Sequence, residues 1–136
     1  MFEVKTYIGN YDKNEFYTIM GKYFAERIYR KQLPYLINDK DKVWYLFFKK
    51  KELAGFCGVK ICQKYTTITD IYYNETYKDE NILEYISKYI FNIYKSENIN
   101  LLTNKKDEKK IWTLLGFKPN KEKGSYTSLN WVKENE

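Results

Sequence analysis

Few side chains in this sequence can do chemistry, and what is missing narrows the choice first. There is no histidine among the 136 residues, so a histidine-bearing zinc site and a Ser-His-Asp triad are excluded. Cys57 and Cys62 are five apart in one expected strand. They point to opposite faces and cannot form a disulfide within it. Both are expected as small buried hydrophobes in a reducing compartment. What remains is tyrosine, backbone amide and one strand carboxylate, Asp70. Residues 66–90, TTITDIYYNETYKDENILEYISKYI, read as a β-branched and aromatic strand, a polar loop, and a helix. Ile82, Leu83, Ile86, Tyr89 and Ile90 mark the helix's apolar face. A strand entering a helix through a short loop aims free N–H groups and the helix's positive end into one crevice. That arrangement suits an anionic ligand.

Composition sets the surroundings of that crevice. The net charge is +6, and arginine occurs only as Arg27 and Arg30. Such a charge speaks to solubility and weak association rather than to a site. Scarce arginine argues against bidentate recognition of bases or phosphates. Nucleic acid is therefore the least favoured partner, although lysines alternate with aromatics around Tyr126 and Trp131. Hydrophobic residues at 43% and aromatics at 19% exclude a disordered chain, and the length suits one domain, 1–136, with a single core. The N-terminus lacks the apolar stretch of a signal peptide. The longest apolar run, 43–48, is far short of a membrane span. A soluble cytoplasmic domain with no membrane partner is expected.

The elements around the crevice follow from pattern. Residues 2–8 read as a strand closed by Gly9 and Asn10. Asp12 or Asn14 caps a helix in which Phe16, Ile19, Met20, Tyr23, Phe24 and Ile28 form a stripe of helical period. Residues 34–37 form a second short helix or turn. Residues 43–49 are apolar on both faces, which predicts a covered strand. A charged turn joins it to a strand over 53–62, where Gly55 and Gly58 imply a bulge or a close backbone approach. After a third strand, 65–73, a helix is predicted over 81–97, a strand over 99–103, and a helix over 107–115. Asn104 or Asp107 caps that last helix, and Gly116 stops it in a left-handed conformation. Strands 117–118 and 125–132 close the chain through a lysine-rich loop, 119–124, and the tail 133–136 is expected to fray.

This order, antiparallel strands followed by a β-α-β crossover, resembles the GNAT N-acetyltransferase superfamily over nearly the whole chain. The hairpin VWYLFFKKKELAGFCGV carries the likeness together with NLLTNKKDEKKIWTLLGFKPNKEKGSYTSLNW, whose strand, Asn104, helix and "LGF" follow the family pattern. The stretch GKYFAERIYRKQLPYL looks like small phage-borne members. The resemblance implies an α/β (α+β) fold with a mixed, mostly antiparallel sheet, splayed between the fourth and fifth strands and flanked by about four helices. It implies acetyl-CoA as cofactor and acetyl transfer to an amine of a small molecule or protein, with a homodimer allowed. The pantetheine arm would bond to the backbone of Ile71, Tyr72 and Tyr73 as an added strand does. The diphosphate would sit on Lys78, Asp79, Glu80, Asn81, Ile82 and Leu83, with Asn104 and Trp112 completing the cofactor side. Asp70 would take the amine's proton directly or through water, or else be structural, hydrogen-bonded beside Thr69. Tyr126 or Tyr65 would supply the acid.

Two positions depart from the family pattern. The loop that reads Arg/Gln-x-x-Gly-x-Gly/Ala in the family is Lys78-Asp79-Glu80-Asn81-Ile82-Leu83 here. It has no glycine, and Asp79 and Glu80 bring negative charge towards a diphosphate unless they cap the helix instead. The family's tyrosine four residues before the "GF" glycine is Trp112, whose indole N–H does not ionise at neutral pH. These departures motivate a second reading, a non-catalytic GNAT-like binding module that engages a host macromolecule. They also predict that Asp79→Gly with Asn81→Gly strengthens coenzyme A binding. Lys105, Lys106 and Lys109 would flank the cofactor crevice, and the first helices with the 119–124 loop would form the acceptor site.

Overall fold

The computed structural model describes residues 2–133; the expected fraying of 134–136 lies outside the described residues. Seven strands form one sheet in the order β1-β2-β3-β4-β5-β7-β6. In chain order these are β1 (Glu3–Tyr7), α1 (Lys13–Ala25), α2 (Arg27–Gln32), β2 (Lys42–Lys49), β3 (Glu52–Ile61), β4 (Thr66–Tyr73), α3 (Ile82–Tyr94), β5 (Ile99–Thr103), α4 (Lys106–Leu114), β6 (Lys118–Lys123) and β7 (Tyr126–Trp131). A 3-10 turn, Glu75–Glu80, links β4 to α3. All strand pairs are antiparallel except β4 with β5, which is parallel.

The doubly apolar run at 43–49 is β2, and its alternation explains why both faces are covered. Val43, Tyr45 and Phe47 join one core cluster with Ile82, Ile86 and Ile90 of α3. Trp44 and Leu46 join the other, with Phe16, Met20 and Tyr23 of α1. Asp12 caps α1 by accepting from the N–H groups of Asn14 and Glu15, as the sequence predicts. Lys50 and Lys51, at φ 49° and 68°, make the two-residue turn of the β2–β3 hairpin left-handed, matching strand twist.

Several boundaries differ from the sequence reading, each for a local reason. The first helix stops at Ala25, because Glu26 is extended, and α2 is a separate helix over Arg27–Gln32. Of the helix or turn expected over 34–37 the structure has the turn, at Pro34 and Tyr35, where the Leu36 N–H donates to the Leu33 carbonyl at 3.2 Å, and residues 33–41 otherwise form an irregular strap. The lysine-rich segment expected as a loop is β6, an exposed edge strand, where lysines and Pro119 discourage further pairing. Neither Asn104 nor Asp107 caps α4, whose N-cap is Lys105 without a side-chain bond. Cys57 is buried as expected, but Cys62 is exposed.

The splay of the sheet positions the site. Parallel pairing between β4 and β5 covers only Thr66 with Ile99, Thr67 with Asn100 and Ile68 with Leu101. Beyond Ile68 the strands part. A bulge begins the divergence, since Gly58 pairs with Asp70 and Val59 with Ile68, leaving Thr69 extra. Such a bulge bends its strand and raises the local twist. Thr69 Oγ1 donates to the Gly58 carbonyl at 3.1 Å and to Asp70 Oδ2 at 2.6 Å, which turns Asp70 out of the ladder's regular alternation.

Candidate active site

On one side of the splay, a cleft of about 560 Å³ opens between the start of α3 and α4, lined by Tyr73, Lys78, Asn81, Ile82, Leu83 and Lys110 among others. The first helical hydrogen bond of α3 runs from the Tyr85 N–H to the Asn81 carbonyl, and no side chain caps this end. The N–H groups of Ile82, Leu83 and Glu84 are therefore the orphan donors of a helix start, with the positive end of a 13-residue helix behind them. Asn81 holds the left-handed conformation at φ 58° and ψ 40°. Asparagine is among the few non-glycine residues that take this conformation readily. The loop thus keeps the backbone turn that glycine serves in the family pattern, without the glycine.

The acidic residues of this loop do not act as the sequence suggested. Glu80 is ion-paired with Lys49 of the β2–β3 hairpin, and neither Asp79 nor Glu80 lines the cleft. They do not cap α3 either, because both lie in the preceding 3-10 turn. Asn81→Ala is expected to lower stability by about 1 kcal/mol, and Asn81→Gly to be near neutral. Chemical denaturation of the two variants checks this; equal losses would mean the left-handed turn is not what Asn81 supplies. The Asp79→Gly, Asn81→Gly pair accordingly has little to gain in anion binding.

On the other side of the splay lies a second cavity, of about 410 Å³, between the 33–37 strap, β4, β5 and α4. Asp70 and Tyr126, far apart in sequence, both line it, as do Ile71 and Asn104. Asp70 is buried and its Oδ2 accepts from Lys42 Nζ at 2.9 Å. Lys42 Nζ also donates to the Ile37 carbonyl at 2.7 Å, tying the strap to β4. Burial, the largest influence, pushes the Asp70 carboxyl above its ordinary range, while Lys42 and Thr69 pull it back. Gly58 makes room for this couple: a Cβ there would lie 2.7 Å from Asp70 Oδ2 and 2.8 Å from the Trp44 ring. Tyr126 sits edge-on to Tyr35, ring centroids 6.5 Å apart.

A second buried carboxylate in this wall, Glu108, escaped the sequence reading. It accepts from Thr103 Oγ1 at 2.9 Å and lies 3.8 Å from Lys105 Nζ. The only hint in the sequence is the three-residue spacing to Ile111 and its position one turn before Trp112, which puts Glu108 on the inward face of α4 among exposed charges. Burial is again the largest influence and raises its carboxyl above the ordinary 4.5, against Lys105 and Thr103. The folded protein therefore holds this proton more tightly than the unfolded chain. Ionising Glu108 costs stability that is retained below pH 4.5 and lost as pH rises through the raised value. Thermal denaturation at about pH 4 and about pH 7 should show Glu108→Gln gaining on the parent at the higher pH. A gap unchanged between the two would contradict the burial argument.

The remaining expected site residues scatter. Tyr72 stacks on Phe56 at 5.2 Å, on the α1 side of the sheet. Trp112 is fully buried in the α3 and α4 core and lines neither cavity. Lys105 borders the second cavity rather than the cleft, and Lys106 and Lys109 border neither. The cations of the cleft are Lys78, Lys88 and Lys110. Tyr65, the alternative acid, lies away from both cavities.

No protein-family model matches the sequence, and no curated protein matches it. Solved structures do. The chain superposes with a TM-score of 0.65 on the PaiA N-acetyltransferase of Thermoplasma acidophilum in complex with coenzyme A, at 17% identity over 98% of this chain and 99% of that one. For the Campylobacter jejuni N-acetyltransferase PseH in complex with acetyl coenzyme A the TM-score is 0.60, at 17% identity over 98% and 100%. For the ribosomal-protein-S18-alanine N-acetyltransferase of Escherichia coli it is 0.67, at 11% identity over 100% and 97%. The chain has the GNAT N-acetyltransferase fold. The cleft at α3 and the cavity behind the strap both border β4 and α4 near the place where β4 and β5 part. Among the described residues no helix is long and apolar enough to cross a membrane, and no group of side chains could hold a metal ion.

Proposed function

We propose that this protein is an acetyl-CoA-dependent N-acyltransferase that transfers an acetyl group to an amine of a small molecule or protein. One observation carries the reading: the β4–β5 splay opens on one side to uncapped helix N–H donors and on the other to a cavity with buried carboxylates. The donors suit a diphosphate, and Lys78 and Lys110 supply compensating charge, whereas Lys88 is paired with Glu84 at 2.8 Å. The parted edge of β4 at Ile71 and Tyr73 offers backbone groups to an extended ligand. Acetyl-CoA, when bound, supplies an acetyl group activated as a thioester. That two of the similar structures hold coenzyme A or acetyl coenzyme A supports this choice of ligand.

On the acceptor side, Asp70 positions the strap through Lys42, and the Tyr126 hydroxyl is the proton relay within reach of the cavity. The binding-module reading drew on the glycine-less loop and on Trp112; the left-handed Asn81 and the Glu80–Lys49 pair weigh against the first ground, and the second stands, with Trp112 buried in the core. Native mass spectrometry of the purified protein mixed with acetyl-CoA tests the proposal. A one-to-one adduct is expected; only unliganded protein, at concentrations where a GNAT control is saturated, would contradict it.

A further inference from the structure

The second cavity carries information about the acceptor in the way its charges are arranged. Asp70 is paired with Lys42 at 2.9 Å, Asp39 with Lys60 at 3.1 Å, and Glu108 with Lys105 at 3.8 Å. A wall in which each acid already has its own cation offers little to draw in a polyamine or an aminoglycoside. The chain's net charge of +6 repels such polycations further.

The third couple differs from the others. At 3.8 Å it is too long for a hydrogen bond. The Lys105 side chain is 45% exposed and free to swing away, whereas that of Glu108 is 9% exposed and anchored through Thr103. One buried carboxylate is thus left with room for one incoming ammonium. The rest of the wall is mainly apolar, with Gln32, Thr67, Thr69, Thr103 and Asn104 as its neutral polar members, and its rim carries exposed apolar side chains. Tyr35 is 75% exposed, Ile37 61% and Leu102 49%. Apolar side chains so exposed around one opening mark a contact surface, and the Tyr35 and Tyr126 rings present faces and edges to a flat or chain-like body.

We propose that the acceptor is a small primary amine with a single ammonium on an aromatic or aliphatic body, the body lying against the 33–37 strap and Tyr126, and the ammonium replacing Lys105 at Glu108. The inference rests on the acyltransferase reading and names its acceptor. In the transfer an N–C bond forms as the thioester C–S bond breaks. The first ammonium proton goes to Glu108 Oε2 and on to solvent. The second leaves as the amide forms and is relayed by Tyr126 to the departing thiolate. The titratable and charged groups around Glu108 are Lys105 and Asp107 from α4, Cys57 of β3 and Tyr73 of β4, and, across the cavity, the Asp70–Lys42 and Asp39–Lys60 couples.

The test uses the full chain with acetyl-CoA and an equimolar mixture of phenethylamine, hexylamine, spermidine, kanamycin and a peptide with a free N-terminus, with products read by mass spectrometry. The acetyl-CoA thermal shift is measured in parallel. Phenethylamine and hexylamine should be acetylated with kcat/KM at least ~10-fold above the others. Glu108→Gln should lower that rate about 100-fold, abolish the acid limb of its pH profile, and keep the acetyl-CoA shift. Three outcomes overturn the proposal while leaving the acyltransferase reading standing. They are preference for spermidine, kanamycin or the peptide; no product from any amine; and a Glu108→Gln variant with the parent's rate and acid limb. Absence of the acetyl-CoA shift overturns both.

Discussion

Asp70→Ala is expected to lower the free energy of unfolding by about 3–5 kcal/mol, as removal of one partner from a buried ion pair does. Both side chains of the Asp70–Lys42 couple are 4% exposed, so the orphaned ammonium of Lys42 would keep the Ile37 carbonyl, at 2.7 Å, and the Trp44 ring, 5.1 Å away, but no counter-charge. The loss comes from the charge left behind rather than from the strength of the pair. Replacing both residues, as Asp70→Leu with Lys42→Met, should therefore recover most of it. Urea denaturation of the single and double variants decides the matter. A single-variant loss below about 1 kcal/mol, the range of surface pairs, would mean that water reaches the couple. The strap should loosen with the single variant, because Lys42 is its tie to β4, and the acceptor cavity with it.

Trp112→Ala is the other large change, expected to cost about 3–5 kcal/mol through lost apolar burial and the cavity left behind. Trp112 is fully buried, edge-on to Phe117 at 4.9 Å, and the Phe117 N–H donates to the Trp112 carbonyl at 3.0 Å, so the ring pins the turn at Gly116. Its indole Nε1 has no hydrogen-bond partner. Trp112→Phe removes that unpaired donor along with some volume, two effects of opposite sign, and should cost far less than alanine. Acetyl-CoA binding should be unchanged in Trp112→Phe, since the indole lines neither cavity. Equilibrium denaturation and a binding titration of the two variants read both effects. Weaker binding by the phenylalanine variant would return Trp112 to the cofactor side that the resemblance implied.

What the sequence discloses is largely what periodicity encodes. The strand at 99–103, the hairpin, the amphipathic α3 and the stop at Gly116 all follow from local pattern, and the resemblance supplies the splay. The break at Glu26 was hidden because the stripe from Phe16 to Ile28 continues across it, although Ile28 is exposed. Strand β6 was hidden because KPNKEK has no buried residue; its pairing with β7 decides its conformation, not its side chains. At the site, Asp70 and Tyr126 were named one by one, but their convergence depends on the sheet order. Composition shows that KDENIL lacks glycine, whereas the left-handed conformation of Asn81 and the partner of Glu80 are tertiary facts. Glu108 went unread because its spacing to Ile111 and Trp112, the one local hint, is masked by the exposed charges on either side of it.

Thermal denaturation with and without acetyl-CoA reads whether the uncapped start of α3 holds the diphosphate of acetyl-CoA. At about 100 times the dissociation constant, binding should stabilise the protein by roughly 2.7 kcal/mol, raising the midpoint by several degrees, and Lys110→Glu, which exchanges an exposed cation of the cleft for a carboxylate, should reduce that rise. No shift of the midpoint at millimolar acetyl-CoA would mean that this fold does not bind it.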